Sequence, residues 1–166
     1  DNFLKLSEKT SFQTNLTLSS NKNKEIISKV NGEIYNYGKT NISFSPNLIA
    51  SNIFSYMPNE YTTLSLLSKY VGDQYMSNND SKNSMLESYF INDLNFTYQI
   101  KTNKLFDSII FSALINNLFD IEYISNGYYY TYDDTWSNPG EVVTLDGAGY
   151  YPQATRNFLI GISMKF

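Results

Sequence analysis

The side chains best suited to binding chemistry fall in one polar, aromatic-rich stretch, residues 121–151. Tyr128, Tyr129, Tyr130, Tyr132 and Trp136 offer flat apolar faces with a hydroxyl or indole N–H at the rim, the combination that holds an amphipathic ligand. At the water boundary of a membrane the same residues would instead form an aromatic girdle, and the sequence leaves both readings open. Asp133, Asp134, Glu141 and Asp146 carry oxygens of the kind that bind calcium. Their spacing fits no calcium loop, so solvated carboxylates are the plainer reading and no metal site is expected. Lys69, Asp93 and Arg156 fall on or near polar strand faces, where they would line a wet interior or simply pair with neighbours.

Other chemistries are closed off by composition. The chain has no cysteine and no histidine, which removes thiolate nucleophiles, Ser-His catalysis, the usual zinc sites and disulfide frameworks. The 12 basic and 16 acidic residues give a net charge of −4 without a run of either sign, so no basic patch tracks a phosphate backbone and no nucleic-acid partner is expected. No cofactor is called for.

The elements that must position these residues read as strands. Charged residues are only 17% of the chain, aromatics reach 16%, and β-branched, aromatic, Asn, Ser and Thr residues outnumber the helix formers. No apolar run reaches the eighteen residues of a membrane helix, and the first residues lack the pattern of a signal peptide. A membrane barrel remains open, because its strands need only about ten residues that are apolar at alternate positions.

That alternation recurs six times. It appears over residues 11–20, with Phe12, Leu16 and Leu18 opposite Gln13 and Asn15, and over 41–56, where Pro46 suggests a bulge. It continues after a turn at Met57 to Tyr61 in residues 62–71, then in 88–100, 108–120 and 156–166. Residues 21–40, 72–87 and 121–151 read as long polar loops, and the turns between the other strands, including Lys101 to Asp107, are short. Loops alternating long and short along such strands describe an outer-membrane barrel with its short turns in the periplasm. Six strands are fewer than the eight of the smallest common barrels, so the expectation is part of a barrel, in one domain spanning residues 1–166.

Two motifs then carry a family resemblance. The segment Ile115 to Gly127 contains Asn117, Leu118, Phe119 and Asp120 followed by Tyr123, and Tyr150 to Phe166 ends in an aromatic residue. In this order they resemble the C-terminus of TonB-dependent outer-membrane receptors of the Bacteroidota type, and Thr40 to Pro58 and Leu66 to Asn78 also look like barrel strands of that family. The resemblance implies an all-β, antiparallel transmembrane β-barrel, this chain supplying about the last six strands of a plugged barrel of about 22. It implies import of a scarce extracellular ligand, such as a siderophore or cobalamin, with energy from TonB. The partners would be the plug and remaining strands, TonB acting through an N-terminal segment not in this sequence, outer-membrane lipid, and a surface lipoprotein in those receptors that pair with one. It also implies that Phe158, Ile160, Ile162, Met164 and Phe166 form the signal read by the barrel-assembly machinery; a lipid-facing last strand would show the same alternation. A soluble β-sandwich binding module, with the apolar face turned to a core, is the alternative. An outer-membrane barrel hydrolase is another, disfavoured by the lack of histidine.

Overall fold

The computed structural model describes residues 2–102 and 107–166. It is all-β, and its described residues contain no α-helix. The strands are β1 (Asn2–Lys5), β2 (Thr10–Leu18), β3 (Ile26–Val30), β4 (Glu33–Gly38), β5 (Leu48–Asn59), β6 (Thr62–Val71) and β7 (Gln74–Tyr75). They continue with β8 (Met85–Leu86), β9 (Tyr89–Lys101), β10 (Ser108–Asn116), β11 (Ile124–Asp134), β12 (Val143–Pro152) and β13 (Asn157–Lys165).

Seven of them form one antiparallel sheet in the order β1-β2-β5-β6-β9-β10-β13, and the remaining six form three two-stranded hairpins. Each hairpin is inserted between two neighbouring strands of the sheet. Antiparallel connectivity therefore gathers all three at one end and leaves the short turns at the other. Among the described residues the sheet does not close into a barrel: β1 and β13 are its two edges.

The register turns the sequence alternation into two chemically distinct faces. On one, Phe158, Ile115, Leu94, Leu66, Phe54, Phe12 and Leu4 align across all seven strands. One residue along, the other face aligns Leu159, Leu114, Asn95, Ser65, Ser55, Ser11 and Lys5, with Ser55 and Ser65 hydroxyls hydrogen-bonded at 2.9 Å. The apolar face is crossed by one polar row, Thr14, Asn52, Ser68 and Asn92, in which the Ser68 hydroxyl donates to Asn92 Oδ1 at 2.6 Å. The alternation read from sequence passes over Asn52, Ser68 and Asn92 in this row.

Among the described residues no other layer covers the apolar face. Phe158, Ile162, Met164, Phe90 and Phe111 are exposed, and Ile160 is 86% exposed. The only buried hydrophobic side chains among the described residues are Val71, Met76 and Leu86, all near the hairpin end rather than on a sheet-to-sheet core.

Several sequence expectations are corrected. The sheet has a seventh strand, β1, joined to β2 by a turn in which Ser7 Oγ accepts from the amides of Lys9 and Thr10. The strand expected from residue 41 begins at Leu48. Its irregularity falls between Tyr56 and Asn59 rather than at Pro46, whose carbonyl accepts the Ser19 hydroxyl. The strand expected over 108–120 stops at Asn116, because Asn117 and Asp120 take left-handed conformations with φ of 50° and 60°.

The expected loop 21–40 contains the β3–β4 hairpin. Its turn is Asn31 and Gly32, both at positive φ as the tight hairpin turn requires, and both strands are largely solvent-exposed. The 72–87 loop holds the short β7–β8 pair, and 121–151 holds most of the β11–β12 hairpin. The short turn expected at Lys101 to Asp107 lies partly outside the described residues, as does Asp1.

Candidate functional site

The residues Asn117 to Asp120 set the geometry of the hairpin end. Asn117 is 4% exposed; its Nδ2 donates to the Ile121 carbonyl at 2.8 Å and its Oδ1 accepts the Ile121 amide at 3.0 Å, closing a ring that turns the chain out of the sheet. Asp93, from β9, accepts the Asn117 amide at 2.8 Å. Asp120 accepts the Arg156 amide at 2.8 Å and lies 3.6 Å from its guanidinium. Two of the three charged candidates, Asp93 and Arg156, are thus tied to the turn that joins β10 to the outer hairpin and leads back into β13. Lys69 sits apart, on the polar face opposite Ser51 and Ile91.

Beyond this turn, β11 and β12 pair from Ile124↔Pro152 to Asp134↔Val143. Alternation gives the hairpin two faces. Gly127, Tyr129, Thr131 and Asp133 point to one, which rests on the segment around residues 76–84. There the Tyr129 hydroxyl donates to Asp146 at 3.0 Å, Asn83 Nδ2 donates to the same carboxylate oxygen at 2.9 Å, and the Tyr150 hydroxyl donates to the Asn83 carbonyl at 3.3 Å. A Cβ on Gly127 would meet the Met76 sulfur at 2.6 Å, so the close approach of the segment requires glycine.

The other face carries Tyr128, Tyr130 and Tyr132, with Trp136 just beyond the strand. Successive ring centroids are 6.3 Å apart at interplanar angles of 20°, 25° and 11°, and Tyr151 adds a fifth ring 6.1 Å from Tyr128. The spacing is close to the two-residue repeat of a strand, about 6.4–6.8 Å. The rings lie down because their cross-strand partners are glycines: Tyr128 pairs with Gly149 and Tyr130 with Gly147, where a Cβ would come within 2.6 Å of the Tyr130 ring.

Trp136 is placed by Asp134, whose Oδ1 accepts the amides of Trp136 and Ser137 at 3.0 and 3.1 Å. Hydrogen bonds, first from the Ser137 side chain and then from these amides, hold the Asp134 carboxyl below its usual range. Asn83 and then Tyr129 do the same for Asp146.

The sequence candidates therefore divide. Tyr128, Tyr130, Tyr132 and Trp136 come together on one face, while Tyr129 is turned to the opposite face and engaged by Asp146. Asp133, Asp134, Glu141 and Asp146 do not converge; Asp133 accepts the Thr144 hydroxyl at 2.7 Å, and no group of three or more acidic side chains placed to share a cation occurs among the described residues. Tyr151 and the two glycines were not singled out by sequence, although Tyr-x-Tyr-x-Tyr facing Gly-x-Gly is a legible pattern once the two segments are paired.

Phe158, Ile160, Ile162 and Met164 line the apolar face of β13, and Phe166 follows the strand. A cleft of about 700 Å³ lies beside the hairpin base, lined by Leu86, Tyr89, Tyr123, Tyr150, Pro152 and neighbours; the Tyr89 and Tyr123 rings lie 4.5 Å apart.

No family model, characterised protein or solved structure matches the chain.

Proposed function

We propose that this chain is the closing portion of a bacterial outer-membrane β-barrel receptor that imports a scarce extracellular ligand with TonB-supplied energy. The supporting observation is a single-layered, seven-stranded antiparallel sheet whose continuous apolar face has no protein layer over it. A soluble sheet protein buries such a face against a second sheet or helices. Here the described residues supply neither, and lipid is the remaining medium that would satisfy it. The opposite face, rich in Ser, Asn and Thr with scattered Leu and Ile, suits a lumen filled by water and a plug domain.

The ends of the sheet support the same reading. Three hairpin excursions at one end and tight turns at the other follow the outer-loop and periplasmic-turn asymmetry of such barrels. Two open edges call for further strands, since membrane sheets close to pair every backbone group. The turn at Asn117 to Asp120 and the aromatic end at Phe166 are the features that resemble TonB-dependent receptors, and the energy source rests on that resemblance. A β-sandwich binding module would need a second layer on the apolar face.

The test is electrophoresis of isolated outer membranes with an antibody against the C-terminal peptide, samples boiled and unboiled. The expected result is a boiled band several times larger than this chain that migrates differently unboiled. A band of 166 residues, soluble without detergent, would overturn the proposal.

A further inference from the structure

The cleft of about 700 Å³ at the base of the β11–β12 hairpin has the size of pockets that enclose small organic ligands. Part of its wall is apolar, formed by Leu86, Ile121, Ile124 and Pro152. The tilted ring pair of Tyr89 and Tyr123, its centroids 4.5 Å apart, lines it too. Two carboxylates, Glu87 and Glu122, complete the surface that a ligand would meet. We infer that this cleft binds an amphipathic organic cation, an aromatic or branched apolar body that carries an ammonium or guanidinium group. The inference rests on the receptor reading above, in which this end of the sheet opens outside the cell, and it adds the charge and shape of a ligand taken there.

The first argument is charge. Glu87 and Glu122 are the only charged residues of the lining, which holds no lysine or arginine. Both are exposed, and neither forms an ion pair among the described residues. Asp73, which accepts the amide of the lining residue Ser88 at 2.7 Å, adds a third negative charge beside them. The cations on the surrounding elements are placed elsewhere. Arg156, next to the lining residue Thr155, lies 3.6 Å from Asp120, Lys69 stands on the polar sheet face opposite Ile91, and Lys82 precedes β8 on the exposed surface. A concave surface with low-dielectric walls focuses such a field, so the cleft gathers cations and repels anions.

The second is the combination of wall and carboxylates. A bare metal ion gains nothing from an apolar wall, and no three acidic side chains are placed to share one among the described residues. An organic cation uses both parts. Its apolar body covers Leu86, Ile124 and Pro152, while its charge meets the carboxylates and the faces of the tyrosine rings.

The third is position. Only Tyr89 of the lining belongs to the seven-stranded sheet. The remainder comes from β8 and the residues after it, and from the segments that leave the sheet into β11 and return from β12. The cleft thus lies at the end with the hairpin excursions, within reach of a ligand arriving from outside, rather than on the wall that a plug would cover.

The experiment is calorimetric titration of the native protein, purified from outer membranes in detergent and checked by the boiled and unboiled bands, with the heats of micelles alone subtracted. Three probes share one aromatic body: 1-naphthylmethylammonium, the neutral 1-naphthylmethanol and the anionic 1-naphthoate. The cation is expected to bind on the order of ten-fold more tightly than the alcohol, with the anion weakest, and added salt narrows the gap. In the double variant Glu87→Gln and Glu122→Gln the advantage of the cation over the alcohol disappears while the band shift is retained. Glu141→Gln, outside the lining, leaves that advantage as it was.

No binding of the cation, binding of the alcohol or the anion as tight as that of the cation, or a cation preference that survives in the double variant overturns the cation cleft. A shifting band in that case leaves the receptor reading standing. Absence of the shifting band from the native protein removes both.

Discussion

Asn117 shows how a motif residue can matter without touching a ligand. Its left-handed backbone suits asparagine better than most residues, and its buried amide satisfies both the N–H and the C=O of Ile121. Asn117→Ala strands those groups and is expected to destabilise the protein by about 2–3 kcal/mol, read as a lower temperature for conversion of the unboiled to the boiled band. Asn117→Gly relieves the backbone strain but not the lost hydrogen bonds, so it should fall between the two. Sequence reading marked this residue through resemblance alone. The physical role was hidden because its partners, Asp93 on β9 and the Asp120–Arg156 pair, are brought to it by the fold of the sheet.

At the scale of elements, strands with one apolar and one polar face were legible throughout the sheet, and β6 runs over the residues that alternation assigns to it. The β3–β4 hairpin was not. Its strands are exposed on both faces, so burial imposes no period of two, and only the Asn31 and Gly32 turn betrays it. In β11 the alternation is present, but its alternate residues are tyrosines on both faces, which reads as undifferentiated aromatic loop until β12 supplies the glycines.

The two faces of β13 give a direct test of which medium each meets. Ile160→Lys places a charge on the apolar face and is expected to cost about 2–4 kcal/mol in a bilayer, whereas Ser163→Lys on the opposite face should cost much less. Urea unfolding of the two variants in lipid vesicles checks this. Equal costs would refute a lipid-facing apolar surface.

At the scale of the molecule, the three hairpin excursions hold one another as a single cap. Asn31 and Thr144 exchange hydrogen bonds of 2.7 and 2.8 Å between the first and third. Asp146 and Asn83 join the third to the second, and Asn41 donates from its amide to Asp80 at 2.9 Å to join the first to the second. Asp146 makes this cap sensitive to acid. Its folded pKa is depressed by Asn83 and Tyr129, so its contribution is complete above the unfolded value near pH 4 and is lost as pH falls through the lower folded value. Hydrogen exchange around Asn83 and Asp146 is expected to quicken over that acid range in the native protein and to lose this dependence in Asp146→Asn.

By itself the sequence determined the all-β class, the two-faced sheet strands and the alternation of long and short connections, because these follow from side-chain period and turn chemistry within a few residues. Tertiary structure decided the rest. Pairing across more than a hundred residues docks the Asn31 turn on Thr144, and the antiparallel return of β12 lays Tyr128 and Tyr130 on Gly149 and Gly147. Both depend on distant segments arriving together, which no local pattern encodes. The unfilled apolar face belongs to both levels: its residues were legible in the chain, but only the assembled sheet shows that no other part of the described protein covers them.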